Sequence, residues 1–140
     1  MQISTRFSIA VHILLCVTAL AGKHKTTSEF LASSVGVNPV MIRKISSQLK
    51  KSGLLDVQPG TGGASLGRPA GSISLYDVYR AVESVGNNSL FNMHERPNPA
   101  CAIGRNIEPL LNTHMENAQK ALENSLKNTT IAALYQSLEI

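Results

Sequence analysis

Cysteine is scarce in this chain of 140 residues, which contains only Cys16 and Cys101. Two cysteines so far apart in sequence do not make the framework of a disulfide-stapled domain, and a chain of this length buries enough surface to fold without one. We therefore expect a reducing, cytoplasmic location. The length accommodates one domain, or one domain with an oligomerisation element.

The chain also lacks an apolar run long enough to span a bilayer. Its most hydrophobic stretch, Phe7–Gly22, follows Arg6 and ends in small residues, which resembles a secretory signal. Ser8 and His12 interrupt the stretch, however, and its apolar residues recur with helical spacing. We expect a buried first helix and no membrane partner.

Catalytic motifs are missing as well. The glycine-rich stretch Pro59–Ser65 lacks the Gly-Lys-Ser/Thr ending of a phosphate-binding P-loop. Cys101 with His94 or His114 would be the nucleophile and base of a thiol enzyme. No thiol-enzyme signature surrounds Cys101, and no acid–base constellation accompanies it. We therefore predict that the protein is not an enzyme.

Positive charge is concentrated in the first part of the chain. The formal net charge is +4. Residues 1–60 contain seven basic and two acidic residues, net +5, whereas residues 61–140 contain six basic and seven acidic residues, net −1. An anionic partner would therefore meet residues 1–60.

Two short helices joined by a tight turn are predicted next. Thr26–Glu29 matches the S/T-x-x-E capping box and predicts a helix to about Ser34. Gly36 ends that helix, Pro39 suits the first turn of a second one, and Gly53 ends the second. The second helix has one apolar face and one basic face, so the pair predicts a helix-turn-helix. The alternative is an ordinary amphipathic helix with a solvated charged side.

A β-hairpin is predicted directly after the second helix. Leu54–Gln58 has the pattern of a short strand, Pro59–Ser65 that of a turn, and Ser65–Leu66 that of a brief return strand. A hairpin in this position is a wing, and its glycines let the backbone approach a DNA backbone or enter a minor groove. Ser74 and Asp77 then form a second capping-box pattern at the start of a further helix.

A long helix is predicted from Ala102 to about Lys127, because apolar residues recur there with a period near 3.5. Pro109 lies inside it and is expected to bend the helix or delay its regular start. The apolar stripe either packs on its own domain or pairs with a second chain, and its length favours pairing. Residues 128–130 then cap a final short helix.

The predicted fold class is therefore mainly α with a small β-wing. Residues 1–86 form a winged helix-turn-helix DNA-binding domain with the wing at about 54–68. Residues 87–101 form a polar loop whose length indicates a functional role, and we assign it as the signal-receiving loop. Residues 102–140 form a long dimerisation helix, at 102–127, and a C-terminal helix.

The sequence resembles the Rrf-type family of bacterial winged-helix regulators, which includes the iron–sulfur cluster regulator, the nitric-oxide-sensitive repressor and the repressor of cysteine metabolism. The likeness is carried by MQISTRFSIAVHILL, TTSEFLASSVGVNPVMIRKISSQLKKSGLL, PGTGGASLGRPAGSISLYDVYRAVE and TTIAALYQSL. It implies a cytoplasmic homodimer whose long helix crosses between subunits. Such a dimer binds double-stranded DNA at an inverted-repeat operator and usually represses transcription.

The resemblance implies three groups of DNA contacts. The major-groove residues are Asn38, Val40, Arg43, Lys44 and Ser47. The phosphate contacts are Thr26, Thr27 and the stretch from Gln2 to Arg6. The minor-groove contacts are Thr61, Gly62, Gly63 and Ala64, although many relatives carry an arginine where this chain has Gln58.

The chemistry of these side chains suggests a division of roles. Arg43 and Lys44 can donate to guanine O6 and N7, and a bidentate contact of this kind contributes about 1–3 kcal/mol of discrimination. We predict that Arg43 is the main specificity residue, with a phosphate contact as the alternative. Other lysines, Lys50 among them, contact phosphate or solvent and add affinity without sequence choice.

Cys101 is the candidate sensor. Relatives that bind an iron–sulfur cluster carry three cysteines in the loop before the long helix; Cys101 matches the last, and Glu95 and Ser89 stand at similar intervals before it. Because such clusters are held by several thiolates, we predict no cluster and no other cofactor or metal.

Two hypotheses for the signal remain open. In the first, Cys101 is a redox or electrophile sensor whose thiolate is favoured by a helix N-terminus and by Arg105. In the second, Cys101 is inert and a small-molecule ligand or partner protein supplies the signal. Cys16 is assigned to core packing. A helical protein-interaction module is a further alternative, but it leaves the wing and the basic helix face unexplained.

Overall fold

A computed structural model describes residues 4–58, 62–83, 91 and 93–139. The described residues are mainly α-helical with one two-stranded antiparallel sheet, as predicted. The elements in chain order are α1 Thr5–Leu20, α2 Ser28–Val35, α3 Pro39–Lys51, β1 Leu55–Val57, β2 Ala64–Leu66, a 3-10 turn Ala70–Ser72, α4 Leu75–Glu83, α5 Ala102–Lys127 and α6 Ile131–Gln136.

The hydrophobic core is built around α1. Ala10, Ile13 and Leu14 are completely buried there, because α1 packs against α2, α3, α4 and α6. A helix surrounded in this way is apolar on most of its circumference, which explains its likeness to a signal sequence. The prediction of a buried first helix is confirmed. No helix in the described ranges is long and apolar enough to cross a membrane.

Helix α2 begins one residue later than the capping-box pattern predicts. Thr27 is the N-cap, and its Oγ1 accepts a hydrogen bond of 3.2 Å from the Phe30 backbone N–H. Glu29 is therefore the second residue of the helix, one position too early to complete a capping box. The predicted box between Thr26 and Glu29 was wrong, because the Thr26 side chain points into the protein interior.

The turn between α2 and α3 follows the sequence signals closely. Gly36 ends α2 in the left-handed conformation, with φ of 86°, and its N–H donates to the Ala32 carbonyl. Asn38 caps α3 by accepting a 2.9 Å hydrogen bond at Oδ1 from the Met41 N–H, and Pro39 occupies the first turn. These short-range bonds fix the start of α3 relative to the end of α2.

The wing is a short ladder in which Leu55 pairs with Leu66 and Val57 with Ala64. Its tip, residues 59–61, lies outside the described residues. The Gly67 N–H donates to the Leu54 carbonyl at 3.0 Å and closes the base of the hairpin. A Cβ at Gly67 would lie 2.3 Å from the Gly53 carbonyl oxygen, so this close backbone approach requires glycine.

The start of α4 is a reciprocal capping box, as predicted. The Ser74 N–H donates to Asp77 Oδ2 at 2.9 Å, and the Asp77 N–H donates to Ser74 Oγ at 3.1 Å. Arg68, at the exit of the wing, donates to the same Oδ2 at 2.6 Å. Burial raises the pKa of Asp77, but the hydrogen bonds from Ser74 and the Arg68 charge outweigh it and hold the pKa below its ordinary 3.8.

Helix α5 runs from Ala102 to Lys127, which are the predicted bounds. Pro109 lies within it. Of the two effects expected of Pro109, a bend or a delayed start, the delayed start is not found, because α5 is helical from Ala102 onward. Although α5 packs chiefly on α4, it has no buried residue.

Helix α6 returns to the winged-helix core. The Ile131 N–H donates to the Ile73 carbonyl at 2.9 Å, and the Leu75 N–H donates to the Thr129 carbonyl at 2.8 Å. The Ile131 side chain is completely buried, and α6 packs on α1. The predicted division into 1–86, 87–101 and 102–140 stays a prediction, and residues 131–136 of its last part pack on α1. The predicted boundary at 86 lies outside the described residues.

Candidate nucleic-acid interface

The outer face of α3 is exposed and cationic. Its inner face is fixed by Ile42, Ile45 and Leu49, which are completely buried. The helical period then places the predicted DNA contacts of α3 on its outer face. All five of them are exposed: Val40, Arg43, Lys44, Ser47 and Lys50. Val40, on the same face, is 66% exposed.

A groove of about 460 Å³ runs along this helix face, and we call it the α3–wing groove. One side is the start of α2, the floor is α3 and the other side is the wing. Its lining includes Thr27, Arg43, Ser47, Lys50, Gln58 and Gly63. Two cationic side chains among hydroxyl, amide and backbone groups give a surface suited to phosphates and base edges.

Within the groove, Arg43 faces a carboxylate. Arg43 Nη1 lies 4.0 Å from Glu29 Oε1, and the two side chains are 56% and 76% exposed. The pair links the two helices of the helix-turn-helix. Its separation and exposure leave both groups free to bond other partners.

The Thr26 side chain connects the wing to the start of α2. Its side chain is only 3% exposed. The hydroxyl donates to the Ala64 carbonyl at 3.0 Å and lies 3.4 Å from the Ala64 N–H. Gly63 is also buried, and a Cβ there would lie 3.0 Å from the Thr26 nitrogen. Thr26 and Gly63 therefore both join the wing to the start of α2, and their DNA contacts stay predictions.

The other predicted contacts differ in how far the structure describes them. Thr27 lines the groove and Asn38 is exposed at the start of α3, but each has one oxygen engaged as a helix cap. Arg6 is half-buried on α1, and Gly62 is exposed. Gln2 and Thr61 lie outside the described residues.

Cys101 is exposed at the N-cap position of α5. Its sulfur accepts no cap hydrogen bond of standard geometry, but the N–H groups of Gly104 and Ile103 are close enough to hold its pKa below the ordinary 9.0. The Arg105 charge, predicted to favour the Cys101 thiolate, is not among the causes of the lowered pKa. Arg105 Nη1 instead donates to the Pro99 carbonyl at 3.4 Å.

Comparison with known proteins identifies the family. Residues 3–137 match the Rrf2 family, described as an iron-dependent transcriptional regulator. The chain belongs to the Rrf2 family. It is 40% identical over 130 residues to "Putative HTH-type transcriptional regulator YwnA" of Bacillus subtilis, covering 93% of this chain and 94% of that protein.

Two solved structures extend the comparison of this Rrf2 protein. A "putative transcriptional regulator" from Lactobacillus plantarum is 31% identical with a TM-score of 0.77, covering 93% of this chain and 87% of that chain. CymR, the global cysteine regulator of Bacillus subtilis, is 22% identical with a TM-score of 0.73, covering 99% of each chain, and shares the fold. The protein is therefore a transcriptional regulator with the Rrf2 winged-helix fold, and it is not an enzyme.

The residues of this Rrf2 chain do not fit an iron–sulfur cluster. A cluster is held mainly by several thiolates, and the chain contains two cysteines. Cys16 is half-buried on α1, packed against the core with its sulfur 3.4 Å from Ser34 Oγ. No group of three His, Cys, Asp or Glu residues that could hold a metal occurs in the part of the chain that the structure describes. Ser89 lies outside that part.

Sequence reasoning missed two interactions in this Rrf2 interface. One is the Glu29–Arg43 pair, and the other is the anchoring of Ala64 by Thr26. For the Thr26–Ala64 contact, the sequence did contain a signal, namely two adjacent threonines at the start of α2. Either can cap the helix, so the one that does not is available for another contact.

Proposed function

We propose that this Rrf2 protein is a homodimeric repressor that binds an inverted-repeat operator and releases it when Cys101 is oxidised or alkylated. The observation that carries the DNA-binding part is the α3–wing groove, where the exposed cationic face of α3 lies between the start of α2 and the wing. In a winged helix-turn-helix, α3 enters the major groove while flanking elements contact the backbone.

The side chains on α3 have different tasks in this proposal. Arg43 projects from the middle of the exposed face, and its planar fork matches O6 and N7 of guanine. Lys44 is a second donor to bases. Lys50, near the end of α3, lines the groove beside the wing and supplies a point charge to phosphate.

Dimerisation is supported by the exposed apolar residues of α5. The helix has 26 residues and is therefore about 39 Å long. Ile103 is 73% exposed and Leu110 is 62% exposed, and Leu111 adds to the same stripe. A second α5 would cover this stripe in coiled-coil fashion. A two-fold dimer presents two α3 helices to two symmetry-related half-sites, which is the reason for an inverted repeat.

The sensing step is supported by the position of Cys101. The thiol is exposed, its thiolate is favoured, and it lies at the start of the proposed dimer helix. An electrophile forms a carbon–sulfur bond with the thiolate. With an azo oxidant such as diamide, two Cys101 thiols of a dimer give one disulfide, and the oxidant takes up the two electrons and two protons. Either product changes the start of α5.

The DNA-binding proposal is tested by selecting bound duplexes from a random library with the purified protein. We expect an inverted repeat whose affinity falls steeply with salt. Arg43→Ala should relax base preference at one position per half-site, while Lys50→Ala should weaken binding to all sequences alike. Equal affinity of the wild-type protein for every duplex would overturn the proposal.

The sensing proposal is tested with diamide or a quinone added to the operator complex. Wild type should release the operator, Cys101→Ser should stay bound, and Cys16→Ser, the matched control, should respond like wild type. If Cys101→Ser is released equally, Cys101 is not the switch. An absorption spectrum of protein purified without oxygen should lack the bands of an iron–sulfur cluster.

The dimer is tested by sedimentation. Leu110→Asp introduces a charge into the exposed stripe and should give a monomer. Val40→Asp is the matched control, because Val40 is as exposed as Leu110 but lies on α3. A wild-type protein that sediments as a monomer at micromolar concentration would contradict the proposed assembly.

A further inference from the structure

Glu29 is an acidic residue where the proposed DNA-binding surface calls for positive charge. Residues 1–60 carry only two acidic side chains, and the other, Asp56, does not line the α3–wing groove. Glu29 does line it, and its carboxylate faces the Arg43 guanidinium at 4.0 Å. A carboxylate in this position repels the phosphates that the groove would receive.

The fold does not require that the first-turn carboxylate of α2 be placed opposite Arg43. The cap of α2 is made by Thr27, not by a capping box with Glu29. A carboxylate in the first turn of a helix is favourable, but an aspartate or glutamate at Ser28 would serve equally without entering the pair with Arg43. The Glu29 side chain is 76% exposed and the Arg43 side chain is 56% exposed. Exposed ion pairs of this kind contribute little to stability.

We propose that Glu29 is a specificity-determining residue that acts through Arg43, and this inference rests on the proposed function. The Arg43 guanidinium carries five N–H donors in a planar fork. At the operator, two of them donate to O6 and N7 of guanine, while another side of the fork stays directed at Glu29. The carboxylate thereby orients the fork for bidentate contact.

On non-specific DNA the same carboxylate has the opposite effect. Without a guanine in reach, Arg43 gains most by turning to a phosphate. To do so it must leave Glu29, and it exchanges one anion for another while the phosphates repel the carboxylate that remains. Glu29 therefore weakens non-specific binding more than operator binding, and it raises the ratio between the two.

The test measures the affinity of each variant for the selected operator and for a scrambled duplex at one salt concentration. Glu29→Gln keeps the shape of the side chain and removes its charge. Glu139→Gln is the matched control, because it changes the net charge equally at an exposed residue outside the groove. Arg43→Ala and the double variant Glu29→Gln/Arg43→Ala complete a cycle. Equal melting temperatures for wild type and Glu29→Gln establish that the fold is retained.

We expect Glu29→Gln to strengthen binding to the scrambled duplex and to lower the operator-to-scrambled ratio by roughly two- to fivefold, the range of exposed ion-pair couplings. Glu139→Gln should leave the ratio unchanged. In the Arg43→Ala background, removing the Glu29 charge should no longer change the ratio. Equal strengthening on both duplexes, or the same fall in ratio without Arg43, would overturn the inference.

The proposed function fails by a different result. A wild-type protein that shows no preference for any duplex overturns sequence-specific binding itself. A wild-type protein that prefers its operator, with the same ratio in Glu29→Gln, overturns only the role of Glu29.

Discussion

Replacing Thr26 by valine isolates the contact that ties the wing to the helix-turn-helix. The Gln58 N–H donates to the Gly63 carbonyl, and the Gly67 N–H donates to the Leu54 carbonyl. In an antiparallel ladder, hydrogen-bonded and non-hydrogen-bonded pairs alternate, so Val57 and Ala64 form a non-hydrogen-bonded pair. The Ala64 N–H and carbonyl therefore point away from β1, toward the Thr26 hydroxyl.

Valine has nearly the shape of threonine, so the exchange removes the hydroxyl without creating a cavity. It leaves the Ala64 carbonyl and N–H without their partner. An unsatisfied buried polar group costs about 1–3 kcal/mol, and because Ala64 is half-buried we expect a loss of about 1–2 kcal/mol in the free energy of unfolding. For a protein of this size the melting temperature should fall by about 3–8 °C.

Thermal unfolding followed by circular dichroism measures the change. Thr26→Ser keeps the hydroxyl and should melt close to wild type. Thr18→Val is a second control, because the Thr18 hydroxyl bonds the Leu14 carbonyl within the same helix and its loss leaves no strand group unpaired. If Thr26→Val melts with wild type, the hydroxyl does not support the wing, and the reasoning is refuted.

Two further predictions concern the base of the wing and the start of α4. Asp77→Asn should lower the free energy of unfolding by about 1 kcal/mol at pH 7, the size of a lost cap. The folded-state pKa of Asp77 lies below 3.8. The contribution of the Asp77 carboxylate to the free energy of unfolding is therefore present above about pH 4 and is lost as the pH falls through the folded-state pKa. Urea unfolding at pH 7 and pH 3 should therefore give a difference from wild type that shrinks in acid, and a constant difference would contradict this. Gly67→Ala should lower the free energy of unfolding by about 1–3 kcal/mol, because the added Cβ would overlap the Gly53 carbonyl oxygen. Gly71→Ala is the control: its added Cβ meets nothing within 4 Å, so the free energy of unfolding should stay the same or rise slightly. The reverse order in urea midpoints would show that the hairpin exit is not tightly packed.

The sequence signals that succeeded are local. Gly36, Asn38 and Pro39 each act within one turn of a helix end, so the turn between α2 and α3 was predictable. The start of α2 was not, because Thr26 and Thr27 are equally good caps. The choice is made by Ala64, which lies 38 positions later in the sequence. No local pattern contains that contact.

The same limit applies to the candidate site. The outward face of α3 follows from its apolar period, so the direction of Arg43 was predictable. Its pairing with Glu29 depends on how α2 and α3 cross, which periodicity does not determine. Near Cys101, the spacing to Arg105 suggested a charge partner. The lowered pKa comes instead from backbone N–H groups, which every helix start provides.

The return of α6 to the core determines when the winged-helix core can be completed during synthesis. The Ile131 side chain, completely buried, packs into a body whose other members are complete once α4 has emerged. Between Glu83 and Ile131 the ribosome adds 48 residues, which takes roughly 2 to 10 s at 5–20 residues per second. During that interval the nascent winged helix exposes the apolar surface that α6 later covers. Helix α6 thus completes the core of the first domain, although the long helix α5 must be synthesised before it.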